Sequence, residues 1–178
     1  MNLRFFLDVD GVLHDWTGQA AKLFGVDRAI FVTHEGHKHL GISKAKMWDT
    51  INDAGPSFWQ GELLPWANEL YGFCQSLGEV YLLTSPSADD SSFIGKRKWI
   101  RKHFGQQGLS KTLIASCKEA CAYDGSVLID DYDTNYEKFK AGGGRAILFP
   151  QPWNRNRCLS EQRMTYTKQA INKCLGEI

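Results

Sequence analysis

Five stretches of the chain are apolar at nearly every position and stop abruptly at polar residues: 5–7, 80–83, 112–115, 126–129 and 146–149. Continuously apolar runs of this length read as strands buried on both faces, the habit of a parallel sheet. The segments between them carry helical spacing instead. Trp16, Ala20, Leu23 and Phe24 line one face of 16–24. Met47, Trp48 and Ile51 do so in a helix that Ser43 caps, and Gly55-Pro56 breaks it. Leu70, Phe73 and Leu77 face inward along 66–77, with Gly78 as the C-cap. Residues 92–104 form a basic amphipathic helix ended by Gly105, 135–141 a short helix, and Ser160 opens a last one. Residues 26–41 mix Phe31 and Val32 with glycines and histidines and are expected to be irregular. Alternating strands and helices predict an α/β fold with a doubly wound, parallel, five-stranded sheet.

Polar residues that follow the apolar runs carry the chemistry. Asp8 and Asp10-Gly11 follow the first, Thr84-Ser85 the second, Lys118 the third and Asp130-Asp131 the fourth. Singly, each has an ordinary alternative: an Asp-Gly turn, a strand-ending turn, a helix N-cap. Together they lie at one sheet edge, because right-handed crossovers bring consecutive strand ends to the same side, where open α/β sheets bind ligands. Four carboxylates drawn together repel one another unless a cation neutralises them, and an oxygen-only set suits Mg²⁺. Thr84, Ser85 and Lys118 supply hydroxyls and a fixed positive charge for a phosphoryl group. One carboxylate can attack phosphorus, and its neighbour two residues on can move the proton.

Composition narrows this picture. The 178 residues suit one domain with a small insert. The formal net charge of +1 gives no field that would gather a polynucleotide or an anionic membrane. No export signal or membrane-length apolar run is evident. Five cysteines at irregular spacing therefore read as reduced thiols of a cytoplasmic protein. Six Trp and ten Phe are many for this length and can line a ligand pocket.

The sequence resembles the haloacid dehalogenase superfamily of phosphotransferases. Asp8-Val9-Asp10-Gly11-Val12 matches its first motif, Thr84 its second, Lys118 its third and Asp130-Asp131 its fourth. Within it, the chain is similar to the 5′(3′)-deoxyribonucleotidases and their bacterial and phage relatives. Thr84-Ser85-Pro86, the run from Lys96 to Gly105, Leu128-Ile129-Asp130-Asp131 and the run from Phe149 to Asn154 carry that likeness. The resemblance implies Asp8 as nucleophile and Asp10 as acid/base. It implies Mg²⁺ held by Asp8, the Asp10 backbone carbonyl and Asp131, with Asp130 behind them or as an alternative ligand. Thr84 and Lys118 would bind phosphate, helped by Ser85 and Lys96. Residues 15–78 would form a helical cap on a core of 1–14 and 79–178. Trp16, with Trp48, Phe58 and Trp59, would enclose a nucleoside. Tyr132 stands where that branch usually carries a basic residue.

The reading is thus a Mg²⁺-dependent phosphomonoesterase for nucleoside 5′-monophosphates, deoxy forms favoured, acting without polynucleotide or membrane partners; a homodimer is compatible with it. The alternatives are a phosphatase for another small metabolite, a polynucleotide 3′-end phosphatase, and a binding module that has lost catalysis. His34, His37 and His39 are close in sequence, but no further ligand set accompanies them. Gly142-Gly143-Gly144 lacks the lysine and serine of a phosphate-binding loop and reads as a turn.

Overall fold

The structure is a computed structural model that describes residues 3–33 and 35–176; His34 of the histidine group lies outside them. Strands β1 (Arg4–Leu7), β2 (Glu79–Thr84), β3 (Thr112–Ile114), β4 (Ser126–Asp130) and β5 (Arg145–Leu148) form one sheet in the order β3-β2-β1-β4-β5. All four pairings are parallel. The expected doubly wound sheet is therefore present, and β1, bearing the first two aspartates at its end, is its central strand. Leu7 lies level with Leu82 on one side and Ile129 on the other. This register puts Asp8, Thr84 and Asp130 at one edge.

The helices are α1 (Trp16–Phe24), α2 (Gly36–His39), α3 (Lys44–Asp53), α4 (Ala67–Leu77), α5 (Ser91–Ser110), α6 (Asp133–Ala141) and α7 (Arg163–Gly176). Phe5, Leu7, Val80 and Ile129 pack one sheet face against Leu70 and Cys74 of α4, Trp99 and Ile100 of α5, and Ile171 of α7. Phe6, Leu83 and Leu128 pack the other against Phe139 of α6. A third cluster stands apart: Ala20, Phe31, Met47, Ile51, Phe58 and Trp59, with Trp16 and Trp48 against it. The segment between β1 and β2 thus divides. Residues 16–59 form their own small core, while α4 covers the sheet. Two linkers join them side by side: Asp15 N–H donates to Glu62 O at 3.0 Å and Leu64 N–H to Leu13 O at 2.8 Å.

Local differences from the sequence reading have packing causes. Residues 26–41 contain a 3₁₀ turn (Arg28–Phe31) and α2, organised by the burial of Phe31. Gly78 caps α4 in extended backbone, and its small size matters because a Cβ would meet Leu3 O at 2.5 Å. Gly105, at φ 65°, interrupts α5, and the chain coils on to Ser110. A 3₁₀ segment (Arg157–Gln162) precedes α7, so the last helix begins at Arg163 and not at Ser160. All five cysteines are free. Among the described residues no helix is long and apolar enough to cross a membrane.

Candidate active site

The strand ladder sets the first carboxylate. Asp8 N–H donates to Ile129 O at 2.9 Å, extending the β1–β4 pairing by one residue before the chain turns away. Asp8 Oδ1 accepts from Val9 N–H at 2.8 Å and pairs with Lys118 Nζ at 2.7 Å. The same ammonium lies 2.7 Å from Asp130 Oδ2. Lys118 is buried, and although burial favours its neutral form, Asp130 and Asp8 hold its pKa above the ordinary lysine value. A 3₁₀ turn before β4 (Lys118–Cys121) thus delivers the lysine between the acids.

Asp130 is fully enclosed by donors. Besides Lys118, Asn135 Nδ2 reaches Oδ2 at 3.0 Å and Tyr132 N–H reaches Oδ1 at 2.9 Å. Asp131 differs: its carboxylate accepts from the indole N–H of Trp153, 2.7 Å from Oδ2, and among the described residues no lysine or arginine pairs with it directly. Oxygens of Asp8, Asp130 and Asp131 all fall within 4.8 Å of one another. Burial raises the Asp8 pKa to about 7, against the pull of Lys118 and with help from Asp130 and Asp10. Burial and the charges of Asp8 and Asp130 likewise push Asp131 well above the ordinary carboxylate range. Ionised together, three buried carboxylates would outweigh one lysine, which is why two of them hold protons more tightly than ordinary carboxylates, and the donors are all oxygens. This set fits a hard divalent cation. Asp8 and Asp131 keep open valence for it, while the Asp130 oxygens are already occupied.

Asp10 faces a different set. Its Oδ2 pairs with Lys96 Nζ at 2.5 Å, and its Oδ1 lies 2.7 Å from His14 Nδ1. Burial alone would raise its pKa; Lys96 and His14 overcome this and hold it below the ordinary carboxylate range. Lys96 Nζ also donates to Thr84 Oγ1 at 2.8 Å and to the Ser85 carbonyl. All three lysine donors are therefore engaged. Lys96 ties the ends of β1 and β2 together from α5, and its Nζ lies 5.0 Å from the Trp59 ring centroid. Thr84 is completely buried at the end of β2, and Ser85 Oγ donates to Ala115 O at 3.4 Å.

These groups line a cavity of about 460 Å³. Trp16, Trp48 and Trp59 also line it, with Phe31 and Met47. Trp16 packs edge-on to Phe31 and Phe58, at centroid distances of 6.0 and 5.7 Å. Phe58 is buried behind Trp16 and is not in the wall. Of the other residues the sequence offered for the site, Asp8, Asp10, Thr84, Ser85, Lys96, Lys118 and Asp131 lie on this cavity, while Asp130 stands behind it holding Lys118.

Sequence reasoning assigned no role to His14, Asn135 or the loop after β5. Gln151 Nε2 donates to Gly11 O, and Asn154 Nδ2 to Asp131 O at 2.9 Å. With Trp153 on the Asp131 carboxylate, this loop clamps the first and fourth motifs together. Its position past a strand end was the available signal. His14 carried none beyond its nearness to Asp10.

No protein-family model matches the chain, and no curated relative matches it. Solved structures do. A haloacid dehalogenase-like hydrolase from Streptococcus pneumoniae superposes with a TM-score of 0.59 at 14% identity, over 90% of this chain and 91% of that one. CbbY from Rhodobacter sphaeroides, solved with phosphate, gives 0.55 at 15% identity, over 87% and 89%. The fold is that of the haloacid dehalogenase hydrolases. A further enzyme of this fold, from Bacteroides thetaiotaomicron, was crystallised with magnesium and inorganic phosphate; it matches at a TM-score of 0.50 and 16% identity, over 89% and 99%. In the haloacid dehalogenase fold seen here, the four sequence motifs converge on one crevice at the carboxyl edge of the sheet.

Proposed function

We propose that this protein is a Mg²⁺-dependent phosphomonoesterase that passes through an aspartyl-phosphate on Asp8, and that its substrates are nucleoside 5′-monophosphates, deoxy forms favoured. The observation that carries the reading is the grouping of Asp8, Asp130 and Asp131 around Lys118, beside Thr84, at the floor of an aromatic-walled cavity. The magnesium and phosphate bound by the Bacteroides enzyme of the same fold support it. Held by Asp8, Asp131 and the Asp10 carbonyl, Mg²⁺ would supply positive charge opposite the phosphoryl oxygens.

The remaining steps fall to the chain. Val9 N–H and Lys118 both engage Oδ1 of Asp8, which leaves Oδ2 as the attacking oxygen. It forms a bond to phosphorus as the bond to the alcohol oxygen breaks, and Asp10 gives that oxygen a proton. Water then attacks phosphorus, its proton passes to Asp10, and Asp8 is released with inorganic phosphate. Asp10 rests ionised between Lys96 and His14, which is the state its base step needs. Its acid step requires Lys96 to release Oδ2 and turn toward the incoming phosphoryl oxygens. Oδ2 must first take up a proton, from solvent or from the monoanionic phosphate ester as it enters, which then passes to the alcohol oxygen. Lys118 keeps Asp8 oriented and adds positive charge beside the reacting group.

The 16–59 unit acts as a cap. A base stacked on Trp16 and Trp48 gains about 1–3 kcal/mol, which a sugar phosphate against the same walls does not. Phosphate release across a panel of nucleotides, sugar phosphates and a minimal aryl phosphate tests the reading. Nucleoside 5′-monophosphates should give the highest kcat/KM, and Asp8→Asn should lower kcat at least about 10³-fold with the fold retained by circular dichroism. A preference for hexose phosphates would remove the nucleotide assignment, and near-normal turnover by Asp8→Asn would remove the covalent mechanism.

A further inference from the structure

A second groove, of about 360 Å³, adjoins the catalytic cavity. Thr17, Phe31 and Trp153 belong to the walls of both. The charged residues lining it are Arg28 and Arg163, with no carboxylate among the lining residues. Arg28 is already neutralised: its Nη1 and Nη2 reach the two Asp15 carboxylate oxygens, each at 2.8 Å. Arg163 is not. It is partly buried, its guanidinium lies 4.0 Å over the Trp66 ring, and its buried Nε has no hydrogen-bond partner. No acid of the described residues pairs with it. Burial and the nearby Arg28 both press on its charge in the same unfavourable direction.

A guanidinium partly removed from water normally meets a carboxylate or phosphate, for which its planar fork is shaped. Here the guanidinium already rests over the Trp66 ring, which reduces the rotamer freedom left to lose on binding. The groove therefore has a cation oriented in advance and lacks the anion that would answer it.

We propose that Arg163 makes this groove a receptor for an anionic group, and that the group is a second phosphate or carboxylate carried by the same molecule whose phosphomonoester lies at Asp8. The tethered form rests on the phosphomonoesterase reading; the receptor does not. The alternative source of the same chemistry is a separate small anion.

The test uses the Asp8→Asn protein, which is expected to bind without turnover. Calorimetry compares a nucleoside 5′-monophosphate with the matching 3′,5′-bisphosphate, and sulfate is titrated into the monophosphate-saturated protein. The bisphosphate should bind at least about tenfold more tightly, close to 1.4 kcal/mol, and adding Arg163→Gln should abolish that ratio. Should Arg163→Gln melt early, Arg163→Met, which keeps the packing on Trp66, gives the same comparison. Sulfate binding beside the monophosphate, lost in the Arg163 variants and with no bisphosphate advantage, assigns the groove to a separate anion. A bisphosphate advantage that survives in the Arg163 variants, or no response to either probe, overturns the proposal. If no ester is hydrolysed by the wild type, the phosphatase reading fails, and sulfate binding that depends on Arg163 still decides the receptor.

Discussion

His14 Nδ1 lies 2.7 Å from Asp10 Oδ1, and the other ring nitrogen of the same histidine accepts the Gly61 N–H at 3.1 Å. Because Nε2 is an acceptor, a neutral ring carries its proton on Nδ1 and donates it to Asp10. The ring is buried and stands edge-on to Trp99 at 5.1 Å. His14 is thus a positioning residue. It fixes the rotamer of the proposed acid/base and couples it to the linker by which the chain returns from the 16–59 unit. Replacing it by Phe leaves the Gly61 N–H unpaired, a cost of about 1–3 kcal/mol. The expected kinetic result is a lower kcat with little change in KM. His14 is one of the groups that hold the Asp10 pKa down, so its loss moves the acidic limb of the pH–rate profile to higher pH. His14→Gln should recover part of the rate. A profile that does not move would reduce His14 to a packing role.

Gly11 is required by its neighbour across the sheet edge. Its φ is +78°, and a Cβ there would meet Asp131 Oδ2 at 2.2 Å. Gly11→Ala combines a left-handed alanine, costing about 1–2 kcal/mol, with displacement of a proposed metal ligand. A drop in Tm of several degrees is expected, since 1 kcal/mol shifts a chain of this size by about 2–4 °C. The Mg²⁺ concentration for half-maximal activity should rise as well. Equal melting and an unchanged Mg²⁺ requirement would separate Gly11 from the metal site.

The mutual repulsion of the buried acids Asp8, Asp130 and Asp131 makes the folded state respond to a divalent cation, which would favour their ionised forms. Chelator should stop phosphate release and added Mg²⁺ restore it. In a thermal melt, Mg²⁺ at 100 times its Kd should stabilise the protein by about 2.7 kcal/mol. Asp131→Asn should weaken both responses. Full activity in excess chelator would break the argument from the carboxylate cluster.

Trp16 stands in the cavity wall, braced by Phe31 and Phe58, and makes no hydrogen bond or ion pair with the acids among the described residues. Trp16→Ala should raise KM for nucleotides roughly tenfold, the loss of one stacking face, and affect a minimal aryl phosphate much less. Equal losses on both substrates would make Trp16 a scaffold residue.

Much of this protein is written in short-range pattern. Buried parallel strands need continuous apolar runs, and the carboxyl edge of such a sheet gathers whatever follows them. Asp8, Asp10, Thr84, Lys118 and Asp130-Asp131 could therefore be placed together from the chain alone. The caps of α1 and α3 are equally local: Asp15 accepts from Gly18 N–H at 2.9 Å, and Ser43 from Lys46 N–H at 3.1 Å. Tertiary structure decided what depends on contacts between distant segments. Nothing near His14 indicates that Gly61 will reach it, 47 residues away. Nor does the region around Gln151 reveal that it will donate to Gly11, 140 residues back. The division of labour between Asp130 and Asp131 was equally hidden, because adjacent side chains of one type differ only in what surrounds them. Asn135 and Lys118 enclose the first, while among the described residues the carboxylate of the second accepts from Trp153. The unanswered charge of Arg163 follows the same rule. An arginine reads as a solvated surface residue until Trp66 and Arg28, from other parts of the chain, are packed around it.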